Sequence, residues 1–278
     1  MYNAPRVSLR QISALLIAVF FGSFLAAPAL AQRDRGAAKP NASAGPVPRM
    51  ADGTPDLTGV WWTGGDINPN APSLAERLTL PQYNQERPSA LAKLYQPWAL
   101  QKMKELGDKD DPALHCIPAA IGMVGQGAVA QLVQTPQFVI NLIETYHGFR
   151  VIPINGTHNP DALPSYRGDA VGRWDGDTFV TDVRNFTDAN WLQAEGNISF
   201  HSDALRVTER YRRLDAETLE YQATVEDPKV LTAPWQMPKR TFQIAPFDRV
   251  MAADCVDQPG ARLMEGAAKV NYGRPPSP

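Results

Sequence analysis

One acidic residue interrupts the apolar face of a predicted strand. Alternation of side chains places Glu209 on the same strand face as Leu205, Val207 and Tyr211. An inward-facing carboxylate can act as a general acid or base towards a bound molecule, provided that a partner stabilises its buried charge. The alternative is a bulge that turns this carboxylate towards solvent.

Two more polar residues could lie beside that carboxylate. Arg150 shares a strand face with Ile152, and Asn141 lies between Val139 and Ile143 on another strand. If the isoleucine faces form the interior, Arg150 keeps the carboxylate charged or holds an anionic or carbonyl oxygen of a ligand. Such a polar cluster inside an apolar fold is typical of a ligand site, and a purely structural ion pair is the alternative.

Loop residues supply further candidates for proton transfer and for ligand contact. His158 lies in a polar loop and His201 precedes a predicted strand, and loops at strand ends carry catalytic groups more often than cores do. Trp191 stands in a polar loop where its ring could cover a ring-shaped ligand, with Tyr211 and Asn141 as further ligand contacts. Core packing is the alternative for Trp191.

The remaining motifs exclude several familiar kinds of site. No His-Glu-x-x-His or Cys-x-x-Cys spacing is present, so the sequence predicts no metal site. The glycine-rich segment Gly125–Ala130 lacks a parallel βαβ context, and there is no P-loop and no Gly-x-Ser-x-Gly elbow. We therefore expect no bound cofactor.

Composition places the chain among ordinary globular proteins. Its 278 residues are 44% hydrophobic and 20% charged, which excludes wholesale disorder, collagen and a coiled coil. The 27 Lys and Arg and the 29 Asp and Glu give a formal net charge of −2. Because no basic block is present, nucleic acid is not the expected partner, and the oligomeric state is left open.

The first 31 residues have the pattern of a secretory signal peptide. Arg6 and Arg10 precede a largely apolar run of about 14 residues, and Ala29-Leu30-Ala31 fits a cleavage site. That run is shorter than the roughly 20 residues of a spanning helix, and an N-terminal membrane anchor is the alternative. We expect cleavage after Ala31, a periplasmic or secreted location, and no stable membrane insertion after cleavage.

An oxidising compartment would allow the two cysteines of the chain to pair. A disulfide between Cys116 and Cys255 would tie the middle of the chain to its tail. In the loop-entropy model such a bridge stabilises the fold by about 4–5 kcal/mol. Two separate buried thiols are the alternative.

Consecutive hairpins are the elements predicted to position the candidate residues. Strand signals follow one another from Val129 to Ile244 without intervening helices, and Asp175-Gly176-Asp177 is a strong turn signal. Hairpins in series favour an antiparallel meander that hides its edges by closing into a lipocalin-like barrel or a curved sheet. The predicted fold is therefore mainly β.

One β-rich domain is predicted over residues 52–270. It contains an N-terminal helical insertion at about residues 73–107, where Pro97 should kink or split the helix. A flexible linker at 32–51 precedes the domain, and a disordered tail at 271–278 follows it.

The mature part of the chain carries four motifs in the order Pro55–Trp61, Gly172–Thr178, Ser202–Tyr211 and Glu226–Trp235. Together they resemble a large family of exported bacterial proteins, most of which have no assigned activity. That resemblance implies export and no particular reaction. The Thr-Gly-Val-Trp start followed by hairpins also resembles lipocalin-like barrels, which implies a β-barrel fold.

Three functions are open on this basis, and we expect the first. It is an exported enzyme acting on a small apolar or ring-containing molecule by acid/base chemistry, as a lyase, isomerase or hydrolase. Glu209, His201 and His158 would carry protons, and Arg150 would bind an oxyanion. The second is a non-catalytic periplasmic protein that binds a small molecule in the same cavity, and the third is a structural envelope protein with a solid core.

Overall fold

Ten strands joined in one sheet dominate the structure, which is a computed structural model. It describes residues 44–63, 91–106, 110–123, 129–144, 148–193 and 198–251. The strands are β1 Gly59–Trp62, β2 Val129–Gln134, β3 Phe138–Ile143, β4 Gly148–Pro153, β5 Asp169–Asp175, β6 Thr178–Arg184, β7 Arg206–Arg213, β8 Thr218–Glu226, β9 Trp235–Gln236 and β10 Arg240–Ile244.

The sheet curves until it is nearly closed into a barrel. Its strand order is β4-β3-β2-β1-β10-β8-β7-β6-β5, and the short β9 pairs with β8. All neighbours are antiparallel and the path has an odd number of strands, so β4 and β5 run parallel where they meet. Ile154 forms a parallel bridge with Gly172 along this line, called the seam below. The prediction of a mainly β fold, with an antiparallel sheet closing into a barrel, is confirmed. Of the helical insertion predicted at about residues 73–107, residues 73–90 and 107 lie outside the described residues, and one α-helix lies in the described part.

Strand β1 departs from a simple meander. It lies between β2 and β10, with Gly59 opposite Leu132 and Trp61 opposite Ile244. The N-terminal strand therefore joins the hairpins β2–β3–β4 to the hairpins β5–β6–β7–β8.

The strands alternate between the barrel interior and solvent, as their sequences predict. In β7 the four residues at alternate positions from Val207 to Arg213 are buried, and the residues between them are exposed or half-buried. Trp61, Phe179 and Phe242 fill much of the interior. Gly176, with a φ of +57°, forms the turn between β5 and β6, a backbone conformation that favours glycine.

In the described residues, one α-helix, α1, spans Pro97–Glu105. Pro97 begins the helix, because a proline at the first helical position lacks only an N–H that would have no partner within the helix. Ala99 is buried, and the indole N–H of Trp98 donates to the carbonyl of Lys229 at 3.1 Å. A 3₁₀-helix follows at Pro112–His115.

Residues 44–51, predicted as the end of a flexible linker, contact the barrel. Arg49 forms an ion pair with Asp177 at 3.0 Å and a β-bridge with Pro55. The predicted signal peptide and C-terminal tail lie outside the described residues, as does Cys255, so its disulfide with Cys116 stays a prediction. No helix among the described residues is long and apolar enough to cross a membrane.

Candidate functional site in the barrel interior

A buried ion pair crosses the interior of the barrel. Nη1 of Arg150 donates to Oε2 of Glu209 at 2.7 Å, and the two residues are 4% and 1% exposed. They come from β4 and β7, which lie on opposite sides of the seam. Alternation along each strand predicts the inward direction of both side chains. The ion pair that the sequence left open as an alternative is present.

Both oxygens of Glu209 are engaged. Oε2 also accepts a hydrogen bond from the hydroxyl of Thr181 at 3.1 Å, and Oε1 accepts one from the hydroxyl of Tyr221 at 2.9 Å. Thr181 lies opposite Glu209 in the β6–β7 pairing, and Tyr221 belongs to β8. Neighbouring strands on both sides therefore fix the orientation of the carboxylate.

Arg150 is held by backbone carbonyls as well as by the carboxylate. Its Nε and Nη2 donate to the carbonyl of Arg167 at 3.1 and 2.8 Å, and Nη2 donates to that of Ala120 at 3.2 Å. Burial is the largest single effect on the pKa of Arg150 and lowers it, but the charge of Glu209, the nearby Tyr211 and Tyr221 and the hydrogen bond to Glu209 together raise the pKa above its ordinary value. The guanidinium is therefore charged, and it ties β4 to the loop that precedes β5.

Two polar side chains beside the ion pair have no hydrogen-bond partner in the part of the chain that the structure describes. They are the amide of Asn141, with both its nitrogen and its oxygen buried, and the hydroxyl of Tyr211. Asn141 lies opposite Arg150 in the β3–β4 pairing, and Tyr211 follows Glu209 on the same face of β7. The name interior cluster is used below for Asn141, Arg150, Thr181, Glu209, Tyr211 and Tyr221.

The Tyr211 phenol is kept in its protonated form. Burial, and then the charge of Glu209, raise the pKa of Tyr211 well above its ordinary value, while the Asn141 amide opposes this rise. The opposing effect comes from hydrogen bonding with the amide, so the amide lies near the phenol, although the two groups do not reach the geometry of a hydrogen bond. At neutral pH, Tyr211 can therefore donate a hydrogen bond to a bound molecule.

Aromatic rings surround the unpartnered groups. The centroid of the Tyr211 ring lies 5.1 Å from that of Tyr221 and 6.4 Å from that of Phe179. Phe179 fits there because Gly172 on β5 has no side chain, since a Cβ at that position would lie 2.2 Å from the Phe179 ring. The polar groups thus lie beside flat apolar surfaces.

The hydrogen-bond partners of His201 lie outside the interior cluster. Its Nδ1 lies 2.9 Å from the carbonyl oxygen of Ser202, and its Nε2 lies 3.1 Å from Oδ1 of Asn190. Burial lowers the pKa of His201, which leaves the ring neutral at pH 7. The structure does not bring this predicted proton carrier to Glu209.

His158 lies on the outer face of the barrel. Its Nδ1 is 2.6 Å from Oδ2 of Asp169, and its Nε2 is 3.2 Å from Oδ2 of Asp182. Asp182 follows the inward-facing Thr181 in β6, so its side chain points outwards. His158 therefore fixes the β4–β5 loop to the outside of the sheet, apart from Glu209.

Asp182 should stabilise the fold only while it is ionised. Burial alone would raise its pKa, but hydrogen bonds from Arg206, Arg184 and His158 outweigh burial and lower the pKa to about 2. Because the folded pKa is below the unfolded value, this stabilisation is present above about pH 4 and is lost as the pH falls to about 2. We expect Asp182→Asn to lower the free energy of unfolding by about 2 kcal/mol at pH 7.

Urea unfolding of both proteins at several pH values measures this effect. The difference between Asp182→Asn and the wild type should shrink below pH 4, and a difference independent of pH would contradict the assignment. Asp175→Asn is the matched control, because Asp175 forms an exposed ion pair with Arg210 on the same face and should change stability by less than about 1 kcal/mol.

Trp191 belongs to the core. It is 6% exposed and forms a bridge with Phe200, and its carbonyl accepts a hydrogen bond from the N–H of Ala120 at 2.9 Å. The carbonyl of Ala120 in turn accepts from Arg150. Trp191 therefore packs in the core, as the alternative predicted. Its segment is linked to the interior cluster through Ala120, which bonds to both Trp191 and Arg150.

Thr181 and Tyr221 are two members of the interior cluster that the sequence reasoning missed. Alternation alone could have found both. Thr181 lies between Phe179 and Val183 on the buried face of β6, and Tyr221 lies two residues after the buried Leu219 on β8. The sequence signal that identifies both residues is a hydroxyl-bearing side chain on an otherwise apolar strand face.

Two sets of contacts join motif residues to other parts of the fold. Nη1 of Arg213 donates to the carbonyls of Asp56 and Thr58 at 2.6 and 3.3 Å, which holds the motif before β1. Asp227 accepts hydrogen bonds from the N–H and hydroxyl of Ser202 at 2.6 and 2.8 Å, which joins the loops before β7 and after β8. These motif residues hold loops and strands together outside the interior cluster.

Among the described residues, no group of three or more His, Cys, Asp or Glu is placed to hold a metal ion. Comparison with models of known protein families finds no match, and comparisons with curated proteins and with solved structures find none either.

Proposed function

We propose that the barrel interior binds a small organic molecule whose polar group pairs with Asn141 and Tyr211. The observation that carries this proposal is the pair of buried polar side chains without a partner among the described residues. A buried polar group without a hydrogen bond costs about 1–3 kcal/mol, and a ligand that pairs with both groups removes this cost. Apolar interiors with a few convergent polar groups are the usual form of small-molecule sites.

In this proposal the ion pair positions the ligand-binding groups. Asn141 lies opposite Arg150, and Tyr211 lies on the same strand as Glu209. Because Arg150 and Glu209 are bonded to each other across the interior, their contact fixes the separation between the amide and the phenol. Preorganised polar groups bind a ligand with less loss of side-chain freedom.

The seam is the proposed entrance. In the described part of the chain, β4 and β5 are joined by one bridge, between Ile154 and Gly172. Every other pair of neighbours in the barrel wall shares a ladder of at least two residue pairs, as β1 and β10 do. Opening along the seam therefore breaks fewer backbone hydrogen bonds than opening between any other two strands of the wall.

Acid–base catalysis on the bound molecule is a second candidate function, of the lyase, isomerase or hydrolase type. It is favoured by the position of the protonated Tyr211 beside Glu209. Oε1 of Glu209 accepts a hydrogen bond from Tyr221, and a carboxylate oxygen can accept a second one from a substrate. Tyr211 would donate a proton in such a reaction, and Glu209 would accept one.

We further propose that the protein is exported and that residues 1–31 are removed. The basic start, the short apolar run and Ala29-Leu30-Ala31 support this proposal. An intact Met1 on exported protein, detected by mass spectrometry, would contradict it.

The binding proposal is tested by native mass spectrometry of the protein with a panel of phenols, lactones, cyclic amides and terpenoids. We expect at least one compound to bind the wild type and to bind Asn141→Leu about tenfold or more weakly, since two hydrogen bonds are lost. Gln137→Leu is the control, because it replaces an exposed amide in the turn between β2 and β3 and should bind as the wild type does.

Chromatography of the recovered compounds separates the two candidate functions. An unchanged compound supports binding alone, whereas a product that forms with the wild type and disappears with Tyr211→Phe supports catalysis. Equal affinity of the wild type and Asn141→Leu for every bound compound would contradict the proposed site.

A further inference from the structure

We infer that the ligand of the interior cluster is a neutral, planar cyclic amide, an inference that rests on the proposed function. Such a ring carries an N–H donor directly beside a carbonyl acceptor. The Asn141 side chain presents the complementary edge, since neither its nitrogen nor its oxygen has a partner among the described residues.

The two unpartnered atoms of Asn141 define the shape of the complementary group. A primary amide offers N–H donors on one side and a carbonyl acceptor on the other. A cyclic amide holds its own N–H and C=O on the same edge, so it can form two parallel hydrogen bonds with Asn141. An alcohol or an ether satisfies only one of the two atoms at a time. Paired donor and acceptor edges are also how asparagine recognises a base edge in nucleic acids.

Tyr211 supplies a third hydrogen bond. Its hydroxyl is buried beside the Asn141 amide and has no partner in the described residues. Since burial keeps the phenol protonated, Tyr211 donates, and the second lone pair of the ligand carbonyl is the acceptor available to it. One amide group of the ligand then forms hydrogen bonds with the nitrogen and oxygen of the Asn141 side chain and with the Tyr211 hydroxyl, the three atoms that have no partner among the described residues.

The charges around the site favour a neutral ligand. Arg150 and Glu209 neutralise each other at 2.7 Å, so a charged ligand would add a buried charge, which is costly without a partner of its own. Burial, and then the charge of Arg150, lower the pKa of the half-buried Arg167 to about 10, so further positive charge is disfavoured at this place. A carboxylate drawn by Arg167 is the competing ligand class.

The neighbouring rings favour a planar ligand. Tyr211 and Tyr221 are tilted by 59° with their centroids 5.1 Å apart, and Phe179 and Tyr211 are tilted by 45°. Flat apolar faces of this kind pack best against another ring, edge to face or offset.

Isothermal titration of the full-length protein with four probes of similar size tests the inference. The probes are 2-pyridone, N-methyl-2-pyridone, phenol and benzoate. The N-methyl group removes the donor and keeps the ring and the carbonyl, so we expect 2-pyridone to bind at least about tenfold more tightly than its methyl derivative. Binding of 2-pyridone should also shift the side-chain amide resonances of Asn141 in a ¹H–¹⁵N spectrum.

Variants show which group gives the preference. Asn141→Leu should bind 2-pyridone and N-methyl-2-pyridone equally, while Tyr211→Phe should weaken both and keep the preference for 2-pyridone. Gln137→Leu should behave as the wild type in every titration.

The outcomes separate this inference from the proposed function. Tighter binding of benzoate or phenol than of 2-pyridone, lost in Asn141→Leu, overturns the cyclic-amide class and leaves the interior site standing. Failure of 2-pyridone to bind overturns the inference, and the wider panel then decides the proposed function separately. Equal binding of 2-pyridone by the wild type and Asn141→Leu overturns both.

Discussion

Arg150→Met should lower the free energy of unfolding by about 3–5 kcal/mol, the usual loss when one partner of a buried ion pair is removed. The substitution leaves Glu209, which is 1% exposed, as a buried charge without its cation. It also leaves the carbonyls of Arg167 and Ala120 without the donor that they have in the wild type. Urea unfolding followed by tryptophan fluorescence measures the loss.

A double variant shows that the loss comes from the unpaired charge. Arg150→Met combined with Glu209→Met removes both charges and should recover at least about half of the stability, since apolar replacements of whole buried ion pairs are often neutral. Arg210→Met removes the exposed ion pair with Asp175 and should cost at most about 1 kcal/mol. A loss below that value for Arg150→Met would contradict the buried pair.

Arg213→Met should lower the free energy of unfolding by about 3–4 kcal/mol, because four buried or part-buried carbonyl groups lose one charged donor. Arg213 is 7% exposed and donates to the carbonyls of Asp56, Thr58, Asp215 and Ala216. Its guanidinium also lies 5.0 Å from the ring of Trp61, so it holds the chain before β1 against the C-terminal half of the sheet. Thermal and urea unfolding both report the effect.

The neighbouring Arg212 provides the matched control. It is exposed on the outer face of β7, so Arg212→Met should change stability by less than about 0.5 kcal/mol. Arg213→Lys should recover only part of the loss, since an ammonium group cannot match the planar fork of a guanidinium. Equal losses for Arg212→Met and Arg213→Met would show that the four carbonyl contacts contribute nothing.

Local patterns were sufficient to predict which way the cluster residues point. The period of two along a strand is a property of a few consecutive residues. It placed Glu209 on an apolar face, and it placed Arg150 and Asn141 in the interior on the condition that the isoleucine faces are interior. It could not show that Arg150 and Glu209 touch. That contact depends on the barrel closing between β4 and β5, which is decided by the whole sheet.

The loop residues were harder to place for the same reason. His158 and His201 lie in polar segments, where a sequence indicates exposure near strand ends and not the direction of the loop. His158 packs on Asp169 and Asp182 because β5 and β6 bring those carboxylates together on the outer face. His201 is buried by its contact with Asn190, which precedes it by several residues in another loop.

Local sequence patterns also could not predict the order of the strands in the sheet. Hairpins in series predict neighbours that follow one another, and β5 to β8 obey this rule. Strand β1 instead pairs with β10, the last strand of the described chain. Nothing in the residues of either strand specifies the other, since their pairing depends on the edges that the hairpins leave open.

The position of β1 between β2 and β10 determines when the fold can be completed during synthesis. Trp61 is made early, and its partner Ile244 is made near the end of the chain. Until then β1 and β8 each present an open edge, and open edges pair with other chains. A nascent or truncated chain that stops before residue 240 should therefore aggregate through these edges, and a smaller barrel should not form in its place.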